Sequence, residues 1–217
     1  MIRLENATKY YDVKGERKYI MRDVSLTIPA DTSVGILGRN GAGKTTFLKM
    51  LGGIDFPNSG RIVSEHHFSW PMGLTGGVQG SLTGKENAKF VCRIYSRSES
   101  EMKEMLQFVK DFSELGPYFD MPVKTYSAGM KARLGFGLSL AFDFDYYLID
   151  ETLSVGDTKF REKCKQALNK VKATRNILLV NHNPQALRQL CEAGVVLDDG
   201  QLTYFDEIDD AIRFYQS

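Results

Sequence analysis

Apolar and polar residues alternate at the start of the chain as they do in β-strands. This alternation in MIRLENATKYY predicts an opening strand, and MRDVSLTIPADT predicts a second strand that runs into a turn at Pro29. The short apolar run TSVGILG predicts a buried strand. The segment TTFLKMLGG predicts a helix with Gly52 and Gly53 near its end, and FPNSGRIV predicts a turn that enters another strand.

The apolar positions change to a helical period in the middle of the chain. PMGLTGGVQGSLTGKEN is rich in glycine and polar residues and predicts a loop, which becomes helical towards FVCRIYSR. In the next segment, SESEMKEMLQFVKDF, Ser98 and Glu101 fit a capping box. Apolar residues there recur at helical spacing and predict one face packed in the core; they are Met102, Met105, Leu106, Val109 and Phe112.

Strands and helices alternate again in the last third of the chain. FDYYLID and NILLV predict strands, residues 157–173 and NPQALRQLCE predict helices, and DEIDDAIRFYQS predicts a short final helix. AGVVLDDGQLTYF predicts a hairpin that turns at Asp199-Gly200. This alternation predicts an α/β domain with a mostly parallel sheet. We expect one domain, with a core of about 1–74 and 136–217 and a helical insertion of about 75–135.

Composition restricts the kinds of protein this can be. A chain of 217 residues with 42% hydrophobic and 25% charged residues is typical of a soluble globular protein. Its net charge of +1 predicts no strong attraction to nucleic acid. The three cysteines lie far apart, which argues against a disulfide framework and against a metal site made by cysteines. We expect neither a signal peptide nor a membrane-spanning segment, so any membrane role requires a partner.

The segment GRNGAGKT, residues 38–45, is a phosphate-binding loop. It matches the pattern G-x-x-x-x-G-K-[ST] in full, after an apolar strand and before a helix. In such a loop, backbone N–H groups turn towards phosphate oxygens, Lys44 reaches the β- and γ-phosphates, and the Thr45 hydroxyl binds Mg²⁺. The candidate nucleotide-binding residues are Gly38, Arg39, Asn40, Gly41, Ala42, Gly43, Lys44, Thr45 and Thr46.

Polar residues follow two of the predicted buried strands. Asp150 and Glu151 end the strand FDYYLID, where Asp150 can hold Mg²⁺ and Glu151 can polarise an attacking water. His182 follows the strand NILLV, at the sheet edge where ligands bind in open α/β sheets. Nothing comparable surrounds His66 and His67, for which we expect no functional role.

A second helix start facing an anion is predicted at KTYSAGMKARLGF, where small residues precede a basic helix-forming run. Four motifs occur along the chain in this order: GRNGAGKTT, YSAGM, YYLIDE and the NH of residues 181–182. Through these motifs the chain resembles the ATP-binding-cassette (ABC) ATPases over essentially its whole length. The resemblance implies a P-loop NTPase fold with a RecA-like core, an antiparallel β subdomain and a helical subdomain. It also implies that the chain binds and hydrolyses ATP with Mg²⁺.

The resemblance explains the second helix start. In this family two cassettes pair head to tail, and the signature motif of one, here Ser127, Ala128, Gly129 and Met130, caps the γ-phosphate of ATP held by the other. A homodimer with two such sites is therefore expected.

Further roles are implied one residue at a time. Tyr11 matches the aromatic residue that stacks on adenine, with Tyr10 as the alternative. Glu151 matches the catalytic base, and His182 matches the histidine that contacts the γ-phosphate. SVGD, residues 154–157, matches the D-loop. Gln79 is the candidate Q-loop glutamine, which touches Mg²⁺ and the attacking water.

Departures from the usual motif point to one branch of the family. The signature is YSAGM where the family usually has LSGGQ, and Gln79 lies close to Glu86 of the KEN segment. Together with SWPMGLTGGVQGSLTGKEN and YFDMPVKTYSAGM, these features resemble exporters of bacterial polysaccharides, above all the capsular polysaccharide ATPases of Gram-negative bacteria. Export of O-antigen or teichoic acid is the alternative. We expect no C-terminal carbohydrate-binding domain after Ser217, and this expectation favours capsule.

The resemblance also implies partners and a location. The ATPase would couple to an integral-membrane permease dimer at the cytoplasmic face of the inner membrane, and periplasmic and outer-membrane export components would lie beyond it. Capsular polysaccharide would be the cargo, and we expect no nucleic-acid partner. We expect residues 71–95 to receive the permease, with Tyr95 and the preceding residue Trp70 lining the contact. The alternative for Trp70 is packing in the core. A P-loop kinase or a non-transport cassette are the other classes; neither accounts for all these features.

Overall fold

The computed structural model of the chain describes residues 1–72, 78–96, 98–150 and 157–217. The strands are β1 (Ile2–Val13), β2 (Glu16–Ile28), β3 (Val34–Leu37), β4 (Ser59–Ser64), β5 (Tyr146–Ile149), β6 (Asn176–Val180), β7 (Ala193–Asp198) and β8 (Gln201–Phe205). The α-helices are α1 (Lys44–Leu51), α2 (Gly84–Tyr95), α3 (Glu99–Ser113), α4 (Ala128–Leu140), α5 (Thr158–Lys172), α6 (Pro184–Leu190) and α7 (Ile208–Gln216). Every strand and helix predicted from the hydrophobic pattern is confirmed, while two short 3-10 turns, Gly116–Asp120 and Val123–Thr125, were not predicted.

A five-stranded sheet forms the centre of the molecule's α/β core. Its order is β5-β6-β3-β7-β8, with parallel pairing from β5 to β7 and an antiparallel edge strand, β8. Every residue of β3 and β5 is buried, as continuous apolar runs in parallel sheets require. The β7–β8 hairpin turns at Asp199 (φ 42°) and Gly200 (φ 75°), which confirms the predicted turn.

The second sheet is antiparallel and has the order β2-β1-β4. Its inward positions, among them Ile2, Leu4, Met21 and Ile28, are buried in the same cluster as Ile36 of β3. The alternation of β1 thus places one face of this sheet against the core.

The chain divides into two compact units. The first consists of Met1–Pro71, Phe144–Glu151 and Ala167–Ser217, and it contains both sheets. The second consists of Met72–Asp143 and Thr152–Gln166. In the second unit, the start of α5 packs with α3 and α4 through Phe160, which contacts Phe112 and Arg133.

An aromatic cluster holds the second unit together. Phe112 of α3 stacks on Phe136 of α4 at 5.8 Å and meets Phe160 of α5 edge-on at 5.9 Å. Val109 and Phe112 are buried and the three other apolar residues of their face are partly buried, which confirms core packing for this face. Ser98 caps α3 by accepting a hydrogen bond from the N–H of Glu101.

Two further expectations concern cysteines and membrane spans. Cys92, Cys164 and Cys191 are all buried, and none forms a disulfide. Burial raises the pKa of the Cys92 thiol to about 11, so it is protonated at neutral pH. Within the described ranges, no helix combines the length and the apolar character needed to cross a bilayer.

Candidate nucleotide-binding site

Three parallel strands of the central sheet end at one edge, and each is followed by predicted functional residues. The phosphate loop follows β3, Asp150 follows β5, and His182 comes two residues after β6. Because β6 lies between β5 and β3, these groups reach the same edge of the sheet although they are far apart in sequence. Ligands bind at this edge of open α/β sheets.

Three glycines give the phosphate loop its shape. Gly38, Gly41 and Gly43 have φ angles of 152°, 81° and 111°, which only glycine adopts without strain. A side chain at Gly38 would also lie 2.5 Å from the carbonyl oxygen of Leu197, and one at Gly43 would overlap Ile20 Cγ2. At Gly38 and Gly43 the backbone therefore approaches its neighbours too closely for any other residue, while Gly41 is required only for its φ angle.

The start of α1 exposes a polar end to this loop. Its N-cap is Gly43, no side chain caps it, and its first turn carries no acidic residue. Free N–H groups and the positive end of the helix dipole together favour an anion at this position. Lys44 is nearly buried, and its ammonium donates to the carbonyl oxygens of Gly38 at 2.7 Å and Arg39 at 3.0 Å.

A hydroxyl and a carboxylate meet at the floor of the cavity. Thr45 Oγ1 donates to Asp150 Oδ2 at 2.8 Å, across 105 residues of sequence, and Asp150 is 7% exposed. The cavity has a volume of about 310 Å³. It is lined by Ile20, Asn40, Gly41, Gly43, Lys44, Thr45, Thr46, Asp150 and Val180. Sequence reasoning missed Ile20 and Val180, because an apolar wall residue carries no motif of its own.

A family model described as ABC transporter matches residues 21–154, which include the phosphate loop and Asp150. The chain belongs to the ABC transporter family. It is 48% identical, over 100% of its length and 96% of the relative's, to the polysialic acid transport ATP-binding protein KpsT of Escherichia coli. It is 43% identical, over 100% of its length and 99% of the relative's, to the capsule polysaccharide export ATP-binding protein CtrD of Neisseria meningitidis serogroup B.

Solved structures agree with this ABC fold. The dimeric, post-hydrolysis structure of the ATP-binding cassette MJ0796 with ADP and Pi matches 96% of this chain and 99% of its own, with a TM-score of 0.78 at 24% identity. The predicted fold class is therefore confirmed: a P-loop core with an antiparallel β subdomain and helices.

The signature segment of this ABC chain lies in the second unit, at the start of α4. Ser127 is the N-cap, and its Oγ accepts a hydrogen bond from the N–H of Met130 at 3.2 Å. Ser127 and Ala128 are exposed, Gly129 and Met130 partly so, and the first turn of α4 has no acidic residue. The cap uses a lone pair of the Ser127 oxygen, so the O–H is still able to donate a hydrogen bond to an acceptor.

A charged network surrounds the other end of this segment. Arg133 of α4 forms an ion pair with Asp157 at 2.6 Å and a longer one with Glu114 at 3.5 Å, and its guanidinium lies over the ring of Phe160. Asp157 also accepts the N–H of Phe160, and this bond, with Arg133, holds the pKa of Asp157 below its usual range. Lys163 completes the network by pairing with Glu114 at 2.8 Å.

The remaining predicted residues are placed as follows. Tyr11 is 41% exposed on β1, and its hydroxyl donates to Asp55 Oδ2 at 2.6 Å. Tyr10 instead packs against Tyr19 and beneath Arg17. His182 is exposed, between Asn181 and the cap of α6 at Asn183.

In the second unit, Gln79 is exposed, while its backbone is fixed by two hydrogen bonds with the Asn87 side chain. Tyr95, also in the second unit, is 46% exposed beside Phe142. Trp70 belongs to the first unit, where it is partly buried and packs edge-on against Phe144. The predicted catalytic base Glu151 and residues 154–156 of the predicted D-loop lie outside the described residues.

Proposed function

We propose that this chain is the ATPase subunit of an ABC exporter, which uses ATP hydrolysis at the interface of two chains to drive capsular polysaccharide through a separate permease. The observation that carries this proposal is the Thr45–Asp150 hydrogen bond at the floor of the phosphate-loop cavity. It unites the two motifs that P-loop ATPases use to hold a nucleotide and its metal.

ATP binding requires Lys44 to change partners. Its ammonium is held by the carbonyl oxygens of Gly38 and Arg39, and a bound triphosphate offers it stronger, charged acceptors. The N–H groups of the loop and of the first turn of α1 supply the remaining donors. The cavity is thus prepared for the β- and γ-phosphates.

The residues at the cavity floor fit Mg²⁺. A hydroxyl and a carboxylate oxygen are hard ligands, and Mg²⁺ in such sites takes one or two protein ligands and completes its shell with water and phosphate oxygens. Thr45 and Asp150 would hold the ion, with Gln79 as a further oxygen donor. When bound, the ion neutralises charge on the phosphates during their transfer.

Hydrolysis requires a base and groups that bind the γ-phosphate. We assign Glu151 to accept the proton of the attacking water, and His182 to donate a hydrogen bond to the γ-phosphate. Glu151 directly follows Asp150 in sequence, and β6 carries His182 to the edge that bears Asp150. Both assignments come from the motif order of the ABC family.

The signature segment completes the site in a partner chain. Ser127 presents an exposed hydroxyl, and the first turn of α4 has no acidic residue to oppose an anion at the positive end of the helix; together these suit the γ-phosphate of an ATP bound elsewhere. The solved MJ0796 cassette of the same fold is described as dimeric. We therefore infer a homodimer in which each ATP contacts one phosphate loop and the Ser127–Met130 segment of the other chain.

The cargo and location follow from the relatives. KpsT is named for polysialic acid transport and CtrD for capsule polysaccharide export, and both match this chain over its whole length. We assign capsular polysaccharide as the cargo of the assembled exporter. A permease dimer would anchor this subunit at the cytoplasmic face of the inner membrane through residues 71–95, and periplasmic and outer-membrane components would continue the path.

Purified wild-type protein and Glu151→Gln test the ATPase assignment. We expect the wild type to hydrolyse ATP with Mg²⁺, and Glu151→Gln to lose at least about a hundredfold in rate while still binding ATP, because only the proton acceptor is lost. Size-exclusion chromatography with ATP and Mg²⁺ should shift the variant to a dimer. Full activity of the variant would contradict the role of Glu151, and activity of a strict monomer would favour a kinase-like P-loop enzyme.

The cargo is tested in a capsulated strain that lacks its own export ATPase. The chain, supplied together with its permease, should restore surface capsule, and Lys44→Met should not. Restoration of O-antigen or of teichoic acid in the matching deletion strains, without capsule, would instead assign the alternative cargo.

A further inference from the structure

Tyr11 is attached to the segment after α1 by a hydrogen bond that the sequence motifs do not predict. Its hydroxyl donates to Asp55 Oδ2 at 2.6 Å, although the residue as a whole is 41% exposed. Asp55 follows α1, where its N–H donates to the carbonyl oxygen of Lys49. Tyr11 is therefore held at its hydroxyl end while part of the residue stays exposed to solvent.

Lys9, two residues earlier on β1, supports the same arrangement. Its ammonium pairs with Asp55 Oδ1 at 2.5 Å and donates to the carbonyl oxygen of Phe56 at 2.9 Å. The same ammonium lies 4.9 Å from the centre of the Tyr11 ring, so a cation covers one face of the ring. Lys9 is almost completely buried, which fixes this cation in place.

The segment after α1 is in turn attached to β1. Asn58 donates from its N–H to the carbonyl oxygen of Thr8 and accepts the N–H of Tyr10 on its side-chain oxygen. Burial opposes ionisation of Asp55, but hydrogen bonds from Lys9, Tyr11 and the N–H of Phe56 outweigh it and hold its pKa below the usual range. Asp55 is thus a charged acceptor at neutral pH.

The neighbouring strand leads from Tyr11 to the phosphate loop. Tyr11 pairs with Lys18 of β2, and Ile20, two residues further on, lines the cavity against Gly43. A base attached to phosphates in that cavity would extend along this ribbon, where Tyr11 offers an exposed ring.

We propose that Lys9 and Asp55 are positioning residues that hold Tyr11 as a stacking surface for the nucleotide base, with the Lys9 ammonium behind the ring and the base in front. This deepens the proposed ATPase function and rests on it. Since the Tyr11 hydroxyl is already committed to Asp55, the ring can recognise the base only through its face. Stacking of this kind distinguishes purines weakly, because every base has such a face.

The test compares equilibrium binding of ATP, GTP and inorganic tripolyphosphate to full-length variants. Tyr11→Ala should weaken ATP binding roughly tenfold, and GTP binding to a similar degree, because base stacking is lost. Asp55→Ala and Lys9→Met should each weaken ATP binding severalfold, and Lys9→Arg should restore most of the loss. Tripolyphosphate, which has no base, should bind all of these variants as it binds the wild type.

Controls separate this role from a merely structural one. Lys18→Met removes a cation from the strand opposite Tyr11 without touching Asp55, and this variant should bind ATP normally. In steady-state kinetics, Asp55→Ala should raise KM for ATP and leave kcat nearly unchanged.

Three results would overturn the inference. Unchanged ATP affinity in both Asp55→Ala and Lys9→Met would exclude the positioning role. Parallel losses for ATP and tripolyphosphate would show that the substitutions damage the fold instead. Unchanged affinity in Tyr11→Ala, with ATP binding that still depends on Lys44, would remove the stacking surface and leave the ATPase function standing.

Discussion

The two helix starts predicted to face phosphate, at α1 and at α4, are built in different ways. The start of α1 has a glycine N-cap with φ 111° and lies in a cavity lined by Lys44 and Asp150, among other residues. The start of α4 has a serine N-cap, whose oxygen accepts the N–H of Met130, and it is exposed to solvent. One is a pocket within a single chain, and the other is an exposed surface that offers donors to a ligand.

This difference shows how a helix end can serve two tasks. A buried anion site needs backbone geometry that excludes side chains, which is why glycines dominate the first start. An exposed start only needs small residues and a stable helix, and Ser127 supplies both a cap and a donor. We therefore expect substitutions at α1 to act on nucleotide binding, and substitutions at α4 to act on the pairing of chains.

The largest effect is expected for Gly43→Ala. The new methyl group would overlap Ile20 Cγ2 at a φ of 111°, so the loop must distort, and ATP affinity should fall at least tenfold. Gly135→Ala in α4 is the matched control, because its methyl group meets nothing within 4 Å and alanine favours a helix. Nucleotide titration measures the ATP affinity of both variants, and thermal unfolding checks that both are folded. Normal ATP binding by Gly43→Ala would contradict the conclusion that the loop has no room for a side chain at this position.

Mixing two inactive variants tests whether the second start acts on another chain. Lys44→Met removes the phosphate-loop cation, and Ser127→Arg places a bulky side chain at the exposed cap. In an equimolar mixture, random pairing should give mixed dimers with one intact site, so up to about a quarter of the sites become competent again. The measurement is the amount of nucleotide that remains trapped in the dimers, expressed per chain. No recovery of trapped nucleotide, with dimers present, would mean that Ser127 acts within its own chain.

The smallest effect concerns the ion pair beside α4. The pKa of Asp157 is lowered in the folded protein by the N–H of Phe160 and by Arg133. Its charge therefore stabilises the fold above the unfolded-state pKa of about 4, and this contribution is lost as pH falls through the lower folded-state value. Urea unfolding of wild type and Asp157→Asn should differ at pH 7 and converge in strongly acidic buffer. A constant difference at all pH values would assign the effect to capping of α5 instead of charge.

Local patterns predicted the fold and the phosphate loop well. The strands, the Asp199-Gly200 turn and the phosphate loop depend on residues that are close in sequence. The order of the parallel strands in the central sheet then brings Asp150 beside Thr45. The Lys9–Asp55 pair spans 46 residues and the Arg133–Asp157 pair spans 24, and neither follows any periodic signal. Such contacts depend on how whole elements pack, which a single sequence does not display.

One helix cap was readable in the sequence and was still missed. Thr83 and Glu86 form a reciprocal capping box at the start of α2, in the segment that we predicted as a loop because of its glycines. The pattern T-x-x-E was present, but the composition around it favoured a loop. A cap identified by spacing deserves more weight than the composition of its neighbours.

The order of strands in the central sheet also determines when the protein can first bind nucleotide during its synthesis. β3, with the phosphate loop, leaves the ribosome early, whereas β6 and β7, which flank it on both sides, come from residues 176–180 and 193–198. Until these strands emerge, β3 has no neighbour in its sheet, and Asp150 has no framework that brings it to Thr45. A ribosome-bound chain that ends before β6 should therefore not retain ATP, and the nucleotide can select only chains in which β6 and β7 have already been translated.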